Sequence, residues 1–403
     1  MGKYLDKIVT ALHEMLQIWR EEYEKIFTDF GVMLLFLGAT IAYPLIYAGA
    51  YAPEVLSDTP IAVVNHDQSS TSREFLRMVD ATQQIKIAMV KEDLNQAKQA
   101  FFDGEVNGVL VIPEDFTKEV MRGEQAHISV YCDGSYFLHY KQVYQGVATS
   151  LATLNAGVQV KRLMASGMPE EAAIKSAQQV KLNSYPLYNP AGGYGSYVMP
   201  ALLVLILQQT LLMGIGMLGG TDRERKAYHY LAPYAERRGG AIRVILGKTG
   251  AYVSLYFILA FYMLILVTRW FHIPQNGEPL HILSFIIPFL LASAFLGLFL
   301  ATFFKNREVS MIVLLFTSIP LIFLSGFSWP WESFPIVLKW LAQISPSTHA
   351  IRGFLKINQM GTTLYTAGHE WMILWFQTIL FAVLATWRMR SIIKHARNTK
   401  QPE

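Results

Sequence analysis

The sequence predicts a polytopic α-helical membrane protein with six transmembrane helices and an inserted α/β extracytoplasmic domain. Three observations carry that prediction. The 403 residues are 52% hydrophobic and only 16% charged, well under the roughly 25% charge content of soluble domains. Six apolar stretches, about 30–51, 196–219, 246–268, 282–304, 309–327 and 371–387, reach the roughly 17–25 residues that a bilayer core demands. Between the first two lies a polar segment in which short β-branched runs alternate with helical ones.

Residues 1–29 read as an amphipathic helix. Leu5, Ile8, Val9, Leu12, Met15, Leu16, Trp19, Tyr23, Ile26 and Phe27 recur at intervals of three and four, which makes one apolar stripe. With charged residues opposite, the helix is expected to lie in the cytoplasmic interface plane. Residues 30–51 then form the first span. It is read as uncleaved, because a polar helix precedes it and no small-residue cleavage site follows.

Residues 52–195 make up the inserted domain. Ile61–Asn65, Ile85–Val90, Gly108–Ile112 and His127–Cys132 are strand-like, and helical patterns fill about 71–81, 92–103, 114–122, 136–166 and 169–180. The βαβα order predicts a small mixed or parallel sheet with crossover helices. The long helix is expected to face inward along Tyr140, Val143, Val147, Leu151, Leu154, Val158 and Leu163. Residues 196–387 hold five more spans, with a basic loop at 220–245 and an outer segment at 328–356, and 388–403 form a basic tail. Pro44, Pro288 and Pro320 are candidate kinks inside spans.

Positive residues of short loops stay on the cytoplasmic side. Lys3, Lys7, Arg20 and Lys25 precede the first span; Arg223, Arg225, Lys226, Arg237, Arg238 and Arg243 lie in the 220–245 loop; Lys305 and Arg307 follow the fourth span. The tail adds Arg388, Arg390, Lys394, Arg397 and Lys400. All four clusters fall on one side of a six-span arrangement. Both termini are therefore expected in the cytoplasm and 52–195 outside. A basic tail that flanks a span is a topology determinant, so nucleic acid is not an expected partner; membrane lipid is.

Catalytic chemistry finds little support. Gly247-Lys248-Thr249 resembles part of a phosphate-binding loop, but position 242 is Ile where that motif requires glycine. No H-E-x-x-H, G-x-S-x-G or Cys/His cluster occurs, so no catalytic or metal site is expected. Asp67 is expected to turn the chain after the first strand, with a Ser or Thr capping the next helix. Cys132 is expected to be buried and inert. No charge lies at the centre of a span, which argues against a proton relay. Gln208, Gln209 and Thr210, midway through the second span, either line a path or bond to a neighbouring helix.

The stretch S-G-F-S-W-P-W-E-S-F-P (325–335) ends the fifth span. Ser325 and Gly326 permit a turn, Trp329 and Trp331 suit the membrane interface, and Pro330 and Pro335 forbid a continuous helix. Short re-entrant or surface helices are expected through about 356.

These pieces together resemble the ABC type 2 permeases, the membrane subunits of bacterial efflux-type ABC exporters that carry a large extracytoplasmic domain between their first two spans. The likeness rests on I-A-V-V-N-H-D-Q-S-S-T-S-R (61–73), A-x-x-x-F-x-x-G-x-V-x-G-V-L-V-I-P-x-D-F (97–116), D-G-S (133–135), the 325–335 stretch and I-S-P-S-T-H-A-I-R-G-F (344–354). The resemblance implies ATP-driven export of amphipathic molecules from the inner (cytoplasmic) membrane by a dimer of two copies or of one copy and a paralogue. It implies two cytoplasmic ABC ATPase subunits that bind ATP and Mg, and often a periplasmic adaptor. Arg223, Glu224, Arg225, Lys226, Tyr228, Leu231 and Pro233 fall where the family has its ATPase-coupling helix, although Ala227-Tyr228 replace its usual Gly-Thr. Ser325, Gly326, Phe327, Trp329 and Pro330 fall at the outer gate. The rival reading is a non-transporting membrane protein whose external domain binds a ligand or scaffolds an assembly.

Overall fold

A computed structural model describes residues 2–177, 183–225 and 239–398. The chain forms two compact units, Met1–Glu54 with Pro186–Glu403, and Val55–Tyr185.

The first unit is helical. Six of its helices are long and apolar enough to cross a membrane: Phe30–Ala50, Tyr194–Glu224, Gly240–Trp270, Pro279–Ala301, Arg307–Leu324 and Gly368–Lys394. At 1.5 Å per residue even the 18-residue fifth span reaches about 27 Å, close to a bilayer core. The second span is the hub. Leu203, Val204, Leu207 and Leu211 are fully buried in a core shared with Ile282, Phe285 and Phe289 of the fourth span and Tyr256 of the third. Close approach is built into G-I-G-M-L-G-G (214–220): a Cβ on Gly214 would lie 1.7 Å from the Phe36 ring, and one on Gly220 2.7 Å from the Asn306 backbone. Small residues let membrane helices pack backbone against neighbour. The first span holds a π-helical turn at Leu34–Ala39, with Pro44 buried just beyond it, a known source of bending.

In the helical unit two expectations change. The 220–245 loop is shorter than expected, because 220–224 continue the second span as helix and Gly240 already opens the third. Arg223 holds that extra turn by donating to the Thr302 carbonyl at 2.7 Å. The N-terminal helix, Gly2–Thr28, also departs from a simple amphipathic reading. Ile8, Val9, Leu12, Leu16 and Phe27 of its apolar stripe are exposed, as an interfacial helix requires. Its buried face instead carries Glu14, Ile18, Glu22 and Ile26, packed on the third span. Glu14 and Glu22 thus meet protein, not water.

Chain entry to the second span is fixed by one carboxylate. Glu54 accepts hydrogen bonds from the backbone N–H (3.0 Å) and hydroxyl (2.8 Å) of Ser196, and its carbonyl accepts from Tyr194 N–H at 2.7 Å. A Cβ at Gly193 would fall 1.8 Å from a Glu54 oxygen, so a larger residue there would have to displace this carboxylate.

The second unit is α/β. Strands β1 (Thr59–Asn65), β2 (Ile85–Lys91), β3 (Gly108–Ile112) and β4 (Ser129–Cys132) form one sheet in the order β2-β1-β3-β4. β1 runs parallel to β2 and β3, and β4 runs antiparallel to β3. The alternation of β1 sends Ile61 and Val63 to one face and Ala62 and Val64 to the other. The first face is covered by the Phe137–Ala165 helix through Val143, Val147 and Leu154, the second by Ala97 and Ala100 of the Leu94–Phe102 helix. Tyr140, expected inward, is 41% exposed. Gln142 and Gly146 take that face instead, because a Cβ at 146 would lie 2.6 Å from Ile85. Cys132 is half-buried, not fully buried, and burial pushes its thiol up to about 11, so it stays protonated and unreactive at neutral pH.

Ser69 caps the Ser70–Asp80 helix by accepting from Ser72 N–H. Asp67 reaches further. It accepts from the backbone N–H (3.1 Å) and hydroxyl (2.7 Å) of Thr117, which starts the Phe116–Arg122 helix, a helix whose own N-cap side chain makes no capping bond. Burial raises the Asp67 carboxyl, but bonds from Ser69 and Thr117 outweigh it and hold the group below its ordinary 3.8. A carboxyl depressed in the folded state stabilises above its ordinary value, and that stability is lost as pH falls through the folded value. Asp67→Ala is expected to cost about 1–2 kcal/mol at pH 7, a difference that shrinks as the pH falls below the ordinary carboxyl value of 3.8. Denaturant unfolding at both acidities checks this; an unchanged difference would contradict it.

Candidate gating and coupling site

The fifth span ends in a turn built by its sequence. The Ser325 hydroxyl donates to the Ile322 carbonyl at 2.6 Å and accepts from Phe327 N–H at 3.3 Å. Gly326 has φ +78°, a left-handed conformation that glycine adopts without strain. Phe327 stacks on Tyr197 of the second span with ring centroids 4.6 Å apart, and the Tyr197 hydroxyl donates to its carbonyl at 2.8 Å. Trp329 is exposed, and Pro330 opens a single 3-10 turn, Trp331–Ser333.

Trp331 is not a simple interface anchor. The Arg352 guanidinium carbon sits 3.5 Å above its ring centroid, a cation–π contact. A Cβ on Gly326 would come within 3.1 Å of the same guanidinium. Gly326, Trp331 and Arg352 thus form one cradle, and sequence reading missed Arg352.

Two helices follow, Ile336–Ala342 and Pro346–Asn358. The first exposes Ile336, Val337 and Trp340; the second is buried along most of its length. Its N-cap, Ser345, makes no capping bond. Gln208, in the middle of the second span, supplies that bond. Its Oε1 accepts from Ser347 N–H at 2.7 Å, while its Nε2 donates to the hydroxyls of Ser345 (3.0 Å) and Ser347 (3.2 Å). Of its neighbours, the Thr210 hydroxyl donates to the Ile206 carbonyl at 2.7 Å, and neither amide atom of Gln209, 5% exposed, has a partner among the described residues.

The other end of the bundle carries a cluster of buried ions. Lys25 of the N-terminal helix binds both Asp222 oxygens at 2.9 and 3.0 Å. Lys248 of the third span contacts Glu22 at 3.0 Å and Asp222 at 3.5 Å, and Tyr252 donates to Glu22. Arg243 pairs with Glu14. Arg307, at the head of the fifth span, grips Asp29 through two 2.8 Å bonds, and Asp29 in turn caps the first span at Val32. Burial raises the Asp29 carboxyl, yet Arg307 and Val32 N–H more than offset it and hold it below its ordinary value. Lys248 is therefore a structural cation and not part of a phosphate loop. A signal for it was present: Lys248 and Tyr252 stand four apart on one helix face.

Arg223, Glu224 and Arg225 leave this cluster. Arg223 bonds to Thr302, Glu224 accepts from Arg307 N–H at 3.2 Å, and Arg225 is exposed in the turn beyond. Lys226, Tyr228, Leu231 and Pro233 lie outside the described residues. A cleft of about 340 Å³ opens beside the cluster, lined by Lys25, Thr28, Asp29, Thr221, Asp222 and Arg225. Among the described residues, no three His, Cys, Asp or Glu side chains converge as metal ligands.

Removing one member of a buried ion pair strands its partner, at a cost of about 3–5 kcal/mol. Asp222→Asn should destabilise the full chain by that order. Asp222→Asn with Lys25→Met, which restores the balance of charge, should recover most of the loss. Thermal unfolding in detergent measures both; equal losses in the single and double variants would show the charges to be uncoupled.

The geometry offers a bundle clamped at one end by ions and closed at the other by aromatic and amide contacts, without a nucleotide or metal centre among the described residues. No curated protein sequence matches the chain. The family profile described as ABC-2 family transporter protein matches residues 26–387. The chain accordingly belongs to the ABC-2 transporter family, as a multi-pass membrane transport subunit of the kind that has no ATPase site of its own and normally works with a cytoplasmic ABC ATPase.

Proposed function

We propose that this chain is the permease of an ATP-driven exporter that moves amphipathic molecules outward from the cytoplasm or the inner leaflet. A second copy or a paralogue completes the pathway, and two partner ATPase subunits bind ATP and Mg. The distribution of Lys and Arg supports placing the ion cluster, both termini and 226–238 on the cytoplasmic side of a bacterial inner membrane. The α/β unit and the 325–358 turn then lie outside, where a periplasmic adaptor has access to the former.

The single observation that carries this reading is the wiring of the second span. One continuous helix is tied by Asp222 to the ion cluster, next to the segment assigned to ATPase coupling, and by Gln208 to the start of the Pro346–Asn358 helix. A displacement of its cytoplasmic end would be carried to the outer helices along that unbroken helix. Tyr197 on the same helix holds Phe327, the proposed gate side chain, by ring and carbonyl. Tyr228 and Leu231 are assigned as the apolar contact with the ATPase, and Ser325, Gly326, Trp329 and Pro330 as the frame of the gate. Spans without central charges favour apolar or amphipathic cargo.

Purification of the chain with its ATPase, followed by substrate-stimulated ATP turnover in nanodiscs, tests the reading. Tyr228→Asp with Leu231→Asp should abolish co-purification. Gln208→Leu should leave the ATPase bound and its basal turnover within about twofold, while efflux falls at least about tenfold. Failure of any ATPase to associate would favour a membrane scaffold whose external unit binds a ligand.

A further inference from the structure

The α/β unit contains a cavity that the transport reading does not use. It measures about 230 Å³ and is lined by Phe101, Gly104, Val106, Asn107, Asp133, Tyr136 and His139. Four elements meet there: the end of the Leu94–Phe102 helix, the approach to β3, the end of β4 and the start of the Phe137–Ala165 helix. Pockets for drug-sized ligands begin near 300 Å³, so this one suits a small head group or a compact ion.

Its walls are aromatic and its charge is negative. Phe101, Tyr136 and His139 supply rings, and the Tyr136 and His139 centroids stand 6.3 Å apart, edge to face. Tyr136 is 66% exposed although its ring stands beside a cavity it could cover. The Asn107 amide and His139 Nδ1 stand 3.0 Å apart, within hydrogen-bond distance. Asp133 is the one carboxylate among the lining side chains. Its Oδ1 takes the hydroxyl and backbone N–H of Ser135, and these bonds hold the carboxyl below its ordinary value, so it stays anionic at neutral pH.

We propose that this cavity is a binding site for a small organic cation of the quaternary ammonium class. The faces of Phe101 and Tyr136 would receive the cation through their quadrupoles, and Asp133 would balance its charge. A weakly hydrated alkylammonium fits both features: it loses little hydration on entry, and it has no N–H donor that the apolar rings would leave unsatisfied. The site lies wholly within one unit and does not depend on the export reading.

Choline is a suitable probe, measured by calorimetry or saturation-transfer NMR on the full chain in nanodiscs. The control is choline's neutral analogue, in which carbon replaces the quaternary nitrogen and shape is retained. Choline should bind at least about tenfold more tightly than the analogue. Asp133→Asn and Tyr136→Ala should each weaken choline by a similar factor, whereas Tyr136→Phe, which keeps the ring, and Ser135→Ala, which keeps the carboxylate, should stay within about threefold. Both target side chains are at the surface, and retained unfolding temperatures would exclude loss of fold. No choline binding, equal binding of the analogue, or binding indifferent to Asp133→Asn would each overturn the assignment.

Discussion

Lys25, Lys248, Glu22 and Asp222 are held largely out of water, and the arrangement of the helical unit at that end depends on their pairing. Each ion taken from water alone would cost several kcal/mol; together they offset one another across three helices. Arg307 and Asp29 extend the same bonding to the first and fifth spans, and Arg223 extends it to the end of the fourth. Apolar packing cannot do this work in a membrane, because lipid tails solvate leucine as well as leucine does. Ion pairs fix the register of the helices there, and the apolar stripe of the N-terminal helix is left free for the bilayer interface.

At the opposite end neutral groups share that task with one ion pair, Lys356 with Glu370 at 2.6 Å. A helix that starts in the interior leaves backbone N–H groups without partners. For the Pro346–Asn358 helix the remedy is an amide side chain from another span, and the preceding turn is secured by stacked rings and a covered guanidinium. One end is dominated by ion pairs between helices; the other combines the Lys356–Glu370 pair with hydrogen bonds and stacked rings.

Much of the architecture was legible in the sequence. Span composition and β-branched runs located six candidate spans and four strands among the described residues, the strand ends to within two residues and the span ends to within seven, because hydropathy and alternation are local properties. The remote bonds were not legible. Gln208 to Ser347, Asp67 to Thr117 and Glu54 to Ser196 each begin a helix whose own N-cap residue makes no side-chain capping bond. Cap rules inspect only adjacent positions, and these partners lie 139, 50 and 142 residues away. Periodicity likewise found the apolar stripe of the N-terminal helix but not the purpose of Glu14 and Glu22, since a charge looks the same whether water or lysine faces it. The 325–335 stretch was recognisable as a turn, while Arg352, which packs on its Gly326 and Trp331, sits outside the stretch itself.

The bond between Glu54 and the start of the second span bears on the history of the chain. The α/β unit begins after Glu54 and returns at Pro186, and the helical unit itself joins Glu54 to Tyr194 and Ser196. The two chain ends that flank the insertion are thus already stitched together without it. A bundle wired in this way does not need the inserted module to hold its own helices in register. Such a module can be exchanged, enlarged or reduced to a short turn over evolutionary time, and it can acquire a ligand of its own while the helical unit keeps its own bonds.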